Sequence, residues 1–206
     1  WAVIAVVLFH FNISGFSGGF VGVDIFFVIS GFLMTQIIVN GLKNNNFSYW
    51  AFLKARVRRI VPALFVLCAA TMLFGWFVLD DTGYKVLMRH VATSLLFVSN
   101  FKYWREAGYF DDASHEKLLL HTWSLSTEWQ FYMLLPLLMM LVWKIFKKDR
   151  PVIFAVIFTF VASLGCSIYF SARDPGGSFF LLHTRAWEML AGGLVFYFSD
   201  YFKNLF

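Results

Sequence analysis

Charge is scarce in this chain. Asp, Glu, Lys and Arg make up 14% of its 206 residues, against the roughly 25% carried by an ordinary soluble domain. With 60% hydrophobic and 21% aromatic residues and a mean hydropathy of +0.69, this shortage excludes a soluble globular protein. Cysteine is nearly absent too. The two thiols, Cys68 and Cys166, both lie inside apolar runs, where a thiol packs as a small hydrophobe and needs neither a disulfide nor a metal to explain it. Repeats and low-complexity tracts are missing as well. The chain opens on Trp1 without an initiator Met, a basic leader or a small-residue cleavage site, so its start is expected to lie within a helix of a longer protein.

What is present is a series of apolar runs, several near the ~20 residues that an α-helix needs to cross ~30 Å of hydrocarbon. The fold class is therefore all-α, a multi-pass transmembrane helical bundle with about six segments. The first segment ends near Phe11. The others run from about Phe20 to Val39, Ile60 to Leu79, Thr122 to Trp143, Val152 to Phe170 and Thr184 to Phe198. Between the second and third, SYWAFLKARVRR reads as an amphipathic helix on the membrane surface. Between the third and fourth, VLMRHVATSLLFVSNF is broken by Arg89 and His90 and reads as interfacial or re-entrant.

The net charge of +5 does not point to nucleic acid, because the basic residues gather at the ends of apolar runs. Lys43, Lys54, Arg56, Arg58, Arg59, Lys144, Lys147, Lys148, Arg150 and Lys203 share one side with only Asp149 and Asp200, which makes that side cytoplasmic by the positive-inside rule. The opposite side, with Asp80, Asp81, Glu106, Asp111, Asp112, Glu116 and Asp174 against seven basic residues, is close to neutral.

Ionisable groups inside such segments are costly, and the default reading is a bundle-facing functional site. Three stand out. His10 ends an apolar run and is a natural proton acceptor for a hydroxyl nucleophile, or else an interfacial histidine bonded to a carbonyl. Asp24 sits among Gly18, Gly19, Gly22 and Gly31, as part of a packed polar site or as a helix-start carboxylate satisfying free amides. Glu128 shares a helical stripe with His121, Ser124 and Tyr132, spaced three, four and four residues apart. Such a stripe can bind sugar hydroxyls, relay protons or join helices. Trp123 and Trp129 fit an aromatic belt or a platform for a carbohydrate ring. Arg56, Arg58 and Arg59 satisfy topology and also suit the phosphates of a nucleotide-like donor. Arg185 and Glu188, three residues apart, read as an ion pair near His183.

Four blocks then carry a resemblance: AVVLFH ending at His10, GGFVGVDIFFVISGFLM from Gly18 to Met34, ARVRRIVPAL from Ala55 to Leu64, and LLLHTWSLSTEWQFYMLLPLL from Leu118 to Leu138. In that order they resemble the membrane acyltransferase-3 family of bacterial O-acetylases, across nearly the whole chain. The resemblance implies a membrane enzyme of about ten helices in the bacterial cytoplasmic (inner) membrane, of which residues 1–206 are a single partial domain truncated at both ends. It implies acetyl-CoA as the acyl donor, no metal, and a hydroxyl of an envelope glycan or lipid-linked sugar as acceptor. The family's motif of a basic residue followed eleven positions later by histidine matches at His10, with the basic partner falling before residue 1. Its RxxR motif matches Arg56 and Arg59. The expected roles are then His10, Asp24 and Glu128 for catalysis, Arg56 and Arg59 for the donor, and His121, Trp123, Ser124 and Tyr132 for the acceptor. A proton-coupled transporter or flippase is the alternative, since intramembrane His, Asp and Glu suit proton coupling equally well.

Overall fold

A computed structural model describes residues 1–11, 13, 15, 18–107 and 117–203, with side chains to residue 199. Asp111, Asp112 and Glu116, and the side chains of Asp200 and Lys203, lie outside the described residues. In chain order the helices are α1 (Ala2–His10), a 3-10 turn (Gly19–Val21), α2 (Gly22–Lys43), α3 (Tyr49–Val78), α4 (Asp81–Leu95), α5 (Ser99–Glu106), α6 (Thr122–Phe146), α7 (Asp149–Ser171), α8 (Pro175–Phe180) and α9 (Leu182–Lys203). No strand occurs among the described residues, as lipid demands of a chain that must satisfy its backbone within each segment.

Four helices are long and apolar enough to cross a membrane: Gly19–Lys43, Tyr49–Val78, Thr122–Phe146 and Asp149–Ser171. They match the second to fifth expected segments. α9, with 22 residues, contains the whole of the sixth, but Arg185 and Glu188 dilute its apolar character. α1 has nine residues, about 13 Å of helix. The surface helix expected before the third segment is not separate. It is the first third of α3, a continuous helix of 30 residues, or about 45 Å, the thickness of a bilayer with its headgroups. Pro62 inside α3 removes the hydrogen bond to the Arg58 carbonyl without ending the helix. Phe65, Val66, Leu73, Trp76 and Phe77 of α3 are exposed, as lipid-facing side chains should be.

The connection expected to be interfacial folds as two helices. α4 has 15 residues and α5 eight, both short of a span. Asp80 caps α4 by accepting from Gly83 N at 2.9 Å, and the buried stripe of α4 is Leu87, His90, Val91 and Ser94.

The chain divides into two compact units. The first comprises Trp1–Phe47, Pro136–Gly165 and Arg185–Phe206. In it α1 packs antiparallel against the start of α2, because a Cβ on Gly19 would meet the Ala5 carbonyl and one on Gly22 the Ala2 carbonyl. Further along, α2 and α9 approach backbone to backbone. A Cβ on Gly31 would lie 1.7 Å from the Met189 carbonyl oxygen, and one on Gly192 1.9 Å from that of Val28. Small residues permit this approach in membrane helices, where packing replaces the hydrophobic effect as the driving force.

The second unit comprises Ser48–Leu135 and Cys166–Thr184. One apolar core gathers Leu64, Cys68, Leu87, Val91, Phe97 and Leu119. Beside it runs a buried polar seam. Ser94 bonds Thr122 at 2.7 Å, Ser99 bonds Ser126 at 2.8 Å, and Gln130 donates to Asn100 at 2.8 Å. Asn100 and Thr127 both donate to the Phe180 carbonyl. The seam joins α4, α5, α6 and α8 through side chains that satisfy one another in a place where unpaired polar groups are costly. Asp174 caps α8 through Gly177 N and also accepts from the Trp104 indole at 2.9 Å.

Replacing Gly31 with valine puts a side chain against backbone that cannot yield. Overpacking ordinarily costs about 1–3 kcal/mol, and this substitution should reach or exceed the upper end. The expected outcome is a lower yield of folded membrane protein and a reduced melting temperature in detergent, while Gly165→Val, where a Cβ meets nothing within 4 Å, should leave both unchanged.

Candidate active site

In the first unit, Asp24 lies in the first turn of α2 and its carboxylate accepts from the Arg185 guanidinium. The same guanidinium meets Glu188 Oε1 at 3.1 Å and sits 5.7 Å from the centre of the Phe27 ring. One cation thus serves two carboxylates from two helices. Glu188 has a side chain only 3% exposed, and its Oε2 has no hydrogen-bond partner. Ser163 supports the arrangement by accepting from the Trp187 backbone N–H at 3.0 Å. The pairing of Arg185 with Glu188 matches the sequence reading; the recruitment of Asp24 was not foreseen there.

His10 is exposed at the end of α1, its ring edge-on to Phe9. The antiparallel register of α1 on α2 places Gly22 beside Ala2 and Val6, so Asp24 lies near the level of Ala2. His10 is then roughly two turns, about 11 Å, along the α1 axis from that level. The partner that Asp24 takes is Arg185 on α9.

The second unit gathers a different group. Tyr132 donates to Glu128 on α6, and Ser124 Oγ donates to the His121 carbonyl at 3.0 Å, so neighbours on the expected stripe do meet. The first third of α3 packs antiparallel on α6. The Tyr49 hydroxyl lies 3.4 Å from the Met133 carbonyl, Phe52 is edge-on to Tyr132, and Ile60 and Val61 pack against the core with Leu125 and Trp129. Arg56 stands 5.7 Å over the Phe52 ring and its Nε is buried without a hydrogen-bond partner, whereas Arg58 and Arg59 are exposed. Arg56 and Arg59, equal members of the RxxR motif, are thus unequal in the fold.

Trp123 corrects the sequence reading. It is 4% exposed and packs on Phe179 and Phe180 at 4.7 and 5.6 Å, so it belongs to the core and not to an outer belt or a sugar platform. Trp129 stacks on Phe97 at 4.7 Å. His121 is exposed at the start of α6 and Ser124 is half-buried.

The fold also assembles a cluster with no signal in the sequence beyond the broken apolar run. His90, 3% exposed, lies with Nε2 2.9 Å from Glu106 Oε2. Glu106 also takes Lys102 at 2.8 Å, with Lys117 3.9 Å away, and Tyr103 lies against the imidazole at 4.9 Å. Burial pushes His90 below its ordinary value, with help from the Lys102 and Lys117 charges and against the pull of Glu106. Burial works to raise Glu106, but the Lys102 bond and the His90 contacts outweigh it and hold the carboxyl below its usual range.

With this geometry in place, comparison with known proteins is decisive. A family model described as "Acyltransferase domain" matches residues 1–206. The chain belongs to the acyltransferase-3 family. It is 33% identical over 195 residues to the peptidoglycan O-acetyltransferase OatA of Listeria monocytogenes, covering 93% of this chain and 31% of that protein. It is 32% identical over 196 residues to the O-acetyltransferase OatA of Staphylococcus aureus, covering 93% of this chain and 32% of that one. An uncharacterized protein of Haemophilus influenzae is 32% identical over 177 residues, 84% of this chain and 72% of its own length. The chain thus spans about a third of the length of the OatA proteins it matches. No solved structure gives a significant match. The chain is a multi-pass membrane acyltransferase domain.

The His90 cluster makes a pH dependence. Unfolding frees His90 to bind a proton near its ordinary value of 6.5, which the folded state resists, so stability falls as pH drops through that value. Glu106 acts in the same direction, its contribution being lost as pH falls from 4.5 toward its lowered folded value. Acidification from about pH 7 to pH 5 should therefore loosen residues 81–106, read as faster hydrogen exchange after correction for intrinsic rates. His90→Gln should flatten the response between those values; an unchanged response would assign it to other groups.

Proposed function

We propose that the protein carrying this domain transfers an acetyl group from cytoplasmic acetyl-CoA to a hydroxyl of an envelope glycan, in the bacterial cytoplasmic membrane. The names of the OatA relatives support the acceptor class and the acyl group. The observation that carries the reading is the Glu128–Tyr132 pair, a carboxylate with its own hydroxyl donor inside an apolar helix long enough to span a membrane, in the unit that also holds the half-buried Arg56.

In this reading Arg56, supported by Arg59, holds the phosphates of the donor, because a guanidinium offers paired donors matched to phosphate oxygens. The acceptor oxygen attacks the thioester carbonyl carbon, the C–S bond breaks, and the proton leaving the hydroxyl is passed to the departing thiolate. His10 is the base that carries it, since an imidazole has one nitrogen to take the proton and can give it back. Glu128, oriented by Tyr132, and the polar residues His121 and Ser124 on the same stripe hold the acceptor. Asp24 contributes to catalysis through the charged set that it forms with Arg185 and Glu188. A proton-coupled flippase would move such a glycan without making an ester bond.

Label from acetyl-CoA should enter glycan in membranes containing the full-length protein. His10→Ala should abolish that incorporation with membrane insertion intact, and retained transfer would remove His10 from the mechanism. The two arginines should separate: Arg56→Gln should raise the KM for acetyl-CoA by about tenfold or more, in line with the ~1.5–3 kcal/mol of a hydrogen bond to a charged group. Arg59→Gln should have a smaller effect. Equal effects would argue that exposure does not decide which guanidinium meets the donor.

A further inference from the structure

The positive-inside rule accounts for the sign of the charges between α6 and α7 but not for their arrangement. Lys147 takes a left-handed backbone conformation, φ 49°, which lets α6 stop at Phe146 and α7 begin at Asp149. This sharp turn gathers Lys147, Lys148 and Arg150 around an open groove that also includes Trp143, Asp149 and Lys43. Lys43 at the end of α2 is committed to Asp149 at 2.8 Å. Among the described residues Lys147, Lys148 and Arg150 make no ion pair, and all three are exposed. The one carboxylate in the groove is thus neutralised, and three cations remain.

Immediately above this turn α6 presents Leu141, Ile145 and Phe146, which are 59%, 65% and 55% exposed, with the half-buried Trp143 between them. Tryptophan favours the headgroup level of a bilayer. The surface therefore joins an apolar strip, an interfacial indole and a cluster of cations in the order that a phospholipid joins acyl chain, glycerol and phosphate. A soluble anion would use the cations and leave the apolar strip without a role.

We propose that the α6–α7 turn is a binding site for the headgroup phosphate of an anionic phospholipid of the cytoplasmic leaflet, held by Lys147, Lys148 and Arg150, with an acyl chain along Leu141 and Ile145. The site is separate from the residues assigned to acyl transfer, and it stands whatever the acceptor is. Phosphate chemistry alone would also admit the donor's nucleotide, and the apolar strip decides for the lipid.

The test uses the full-length protein in nanodiscs of phosphatidylcholine with a minor fraction of phosphatidylglycerol, with retained lipid counted by native mass spectrometry. The wild type should retain phosphatidylglycerol over phosphatidylcholine. The triple variant Lys147→Gln, Lys148→Gln, Arg150→Gln should lose that preference by roughly tenfold or more, since each cation near an anionic surface contributes appreciably. Lys85→Gln with Arg89→Gln, on α4, should leave it intact. Should the triple variant fail to fold, phosphatidylglycerol with brominated acyl chains still reads the site in the wild type. It should quench the fluorescence component lost in Trp143→Phe more strongly than brominated phosphatidylcholine does, and salt should abolish the difference. Equal quenching by the two lipids, an undiminished preference in the triple variant, or displacement of phosphatidylglycerol by coenzyme A at this turn would each overturn the proposal.

Discussion

A guanidinium shared between two carboxylates ties the first unit together. Arg185 and Glu188 come from α9 and Asp24 from α2, and these are the two helices whose glycines meet the opposing backbone at Gly31 and Gly192. Each feature needs the other. Backbone contact excludes lipid and water from the crossing, so a charge brought there must find its partner within the protein, and removal of one partner from such a set strands the rest at a cost of several kcal/mol. The ion set in turn fixes the rotation of α9, and with it which face carries Gly192 to Val28. Dispersion alone would hold a glycine crossing without specifying its register.

The second unit solves the same problem without formal charge. Its seam of serine, threonine, asparagine and glutamine joins four helices, and its ionisable groups are set apart: Glu128 with Tyr132, and His90 with Glu106 and two lysines. Arg56 is the exception. Its neighbours Arg58 and Arg59 reach outward while it turns over Phe52, leaving Nε buried and unbonded. Burial on the Phe52 ring thus sets it apart from the other two members of the basic run.

Much of this fold could be read from composition and periodicity, because a bilayer imposes length and apolarity on a span so strictly. The second to fifth segments follow from length and apolarity alone. What spacing does not carry is which helix faces which. Arg185 and Glu188 were legible as neighbours on one helix, yet the choice of Asp24 as the third member depends on an approach between residues 161 apart. Trp123 lies where a belt tryptophan would lie, and only the position of Phe179 and Phe180 makes it core. The fusion of the surface helix with the third span was illegible for another reason: amphipathic and apolar stretches differ in pattern, yet both are helical and nothing between them stops the helix, Pro62 merely dropping one hydrogen bond.

The two ends of α2 have a consequence beyond holding neighbours. Asp24 pairs near one end and Lys43 near the other, 19 positions apart, about 28 Å of helix against the ~30 Å of a hydrocarbon core. Helices commonly absorb a mismatch with the surrounding bilayer by tilting or sliding. One pinned at both ends by partners on other helices of its unit has lost that freedom, so where thickness varies it is the lipid that must stretch or thin around this part of the enzyme. The domain thereby carries a built-in preference for membranes of its own depth.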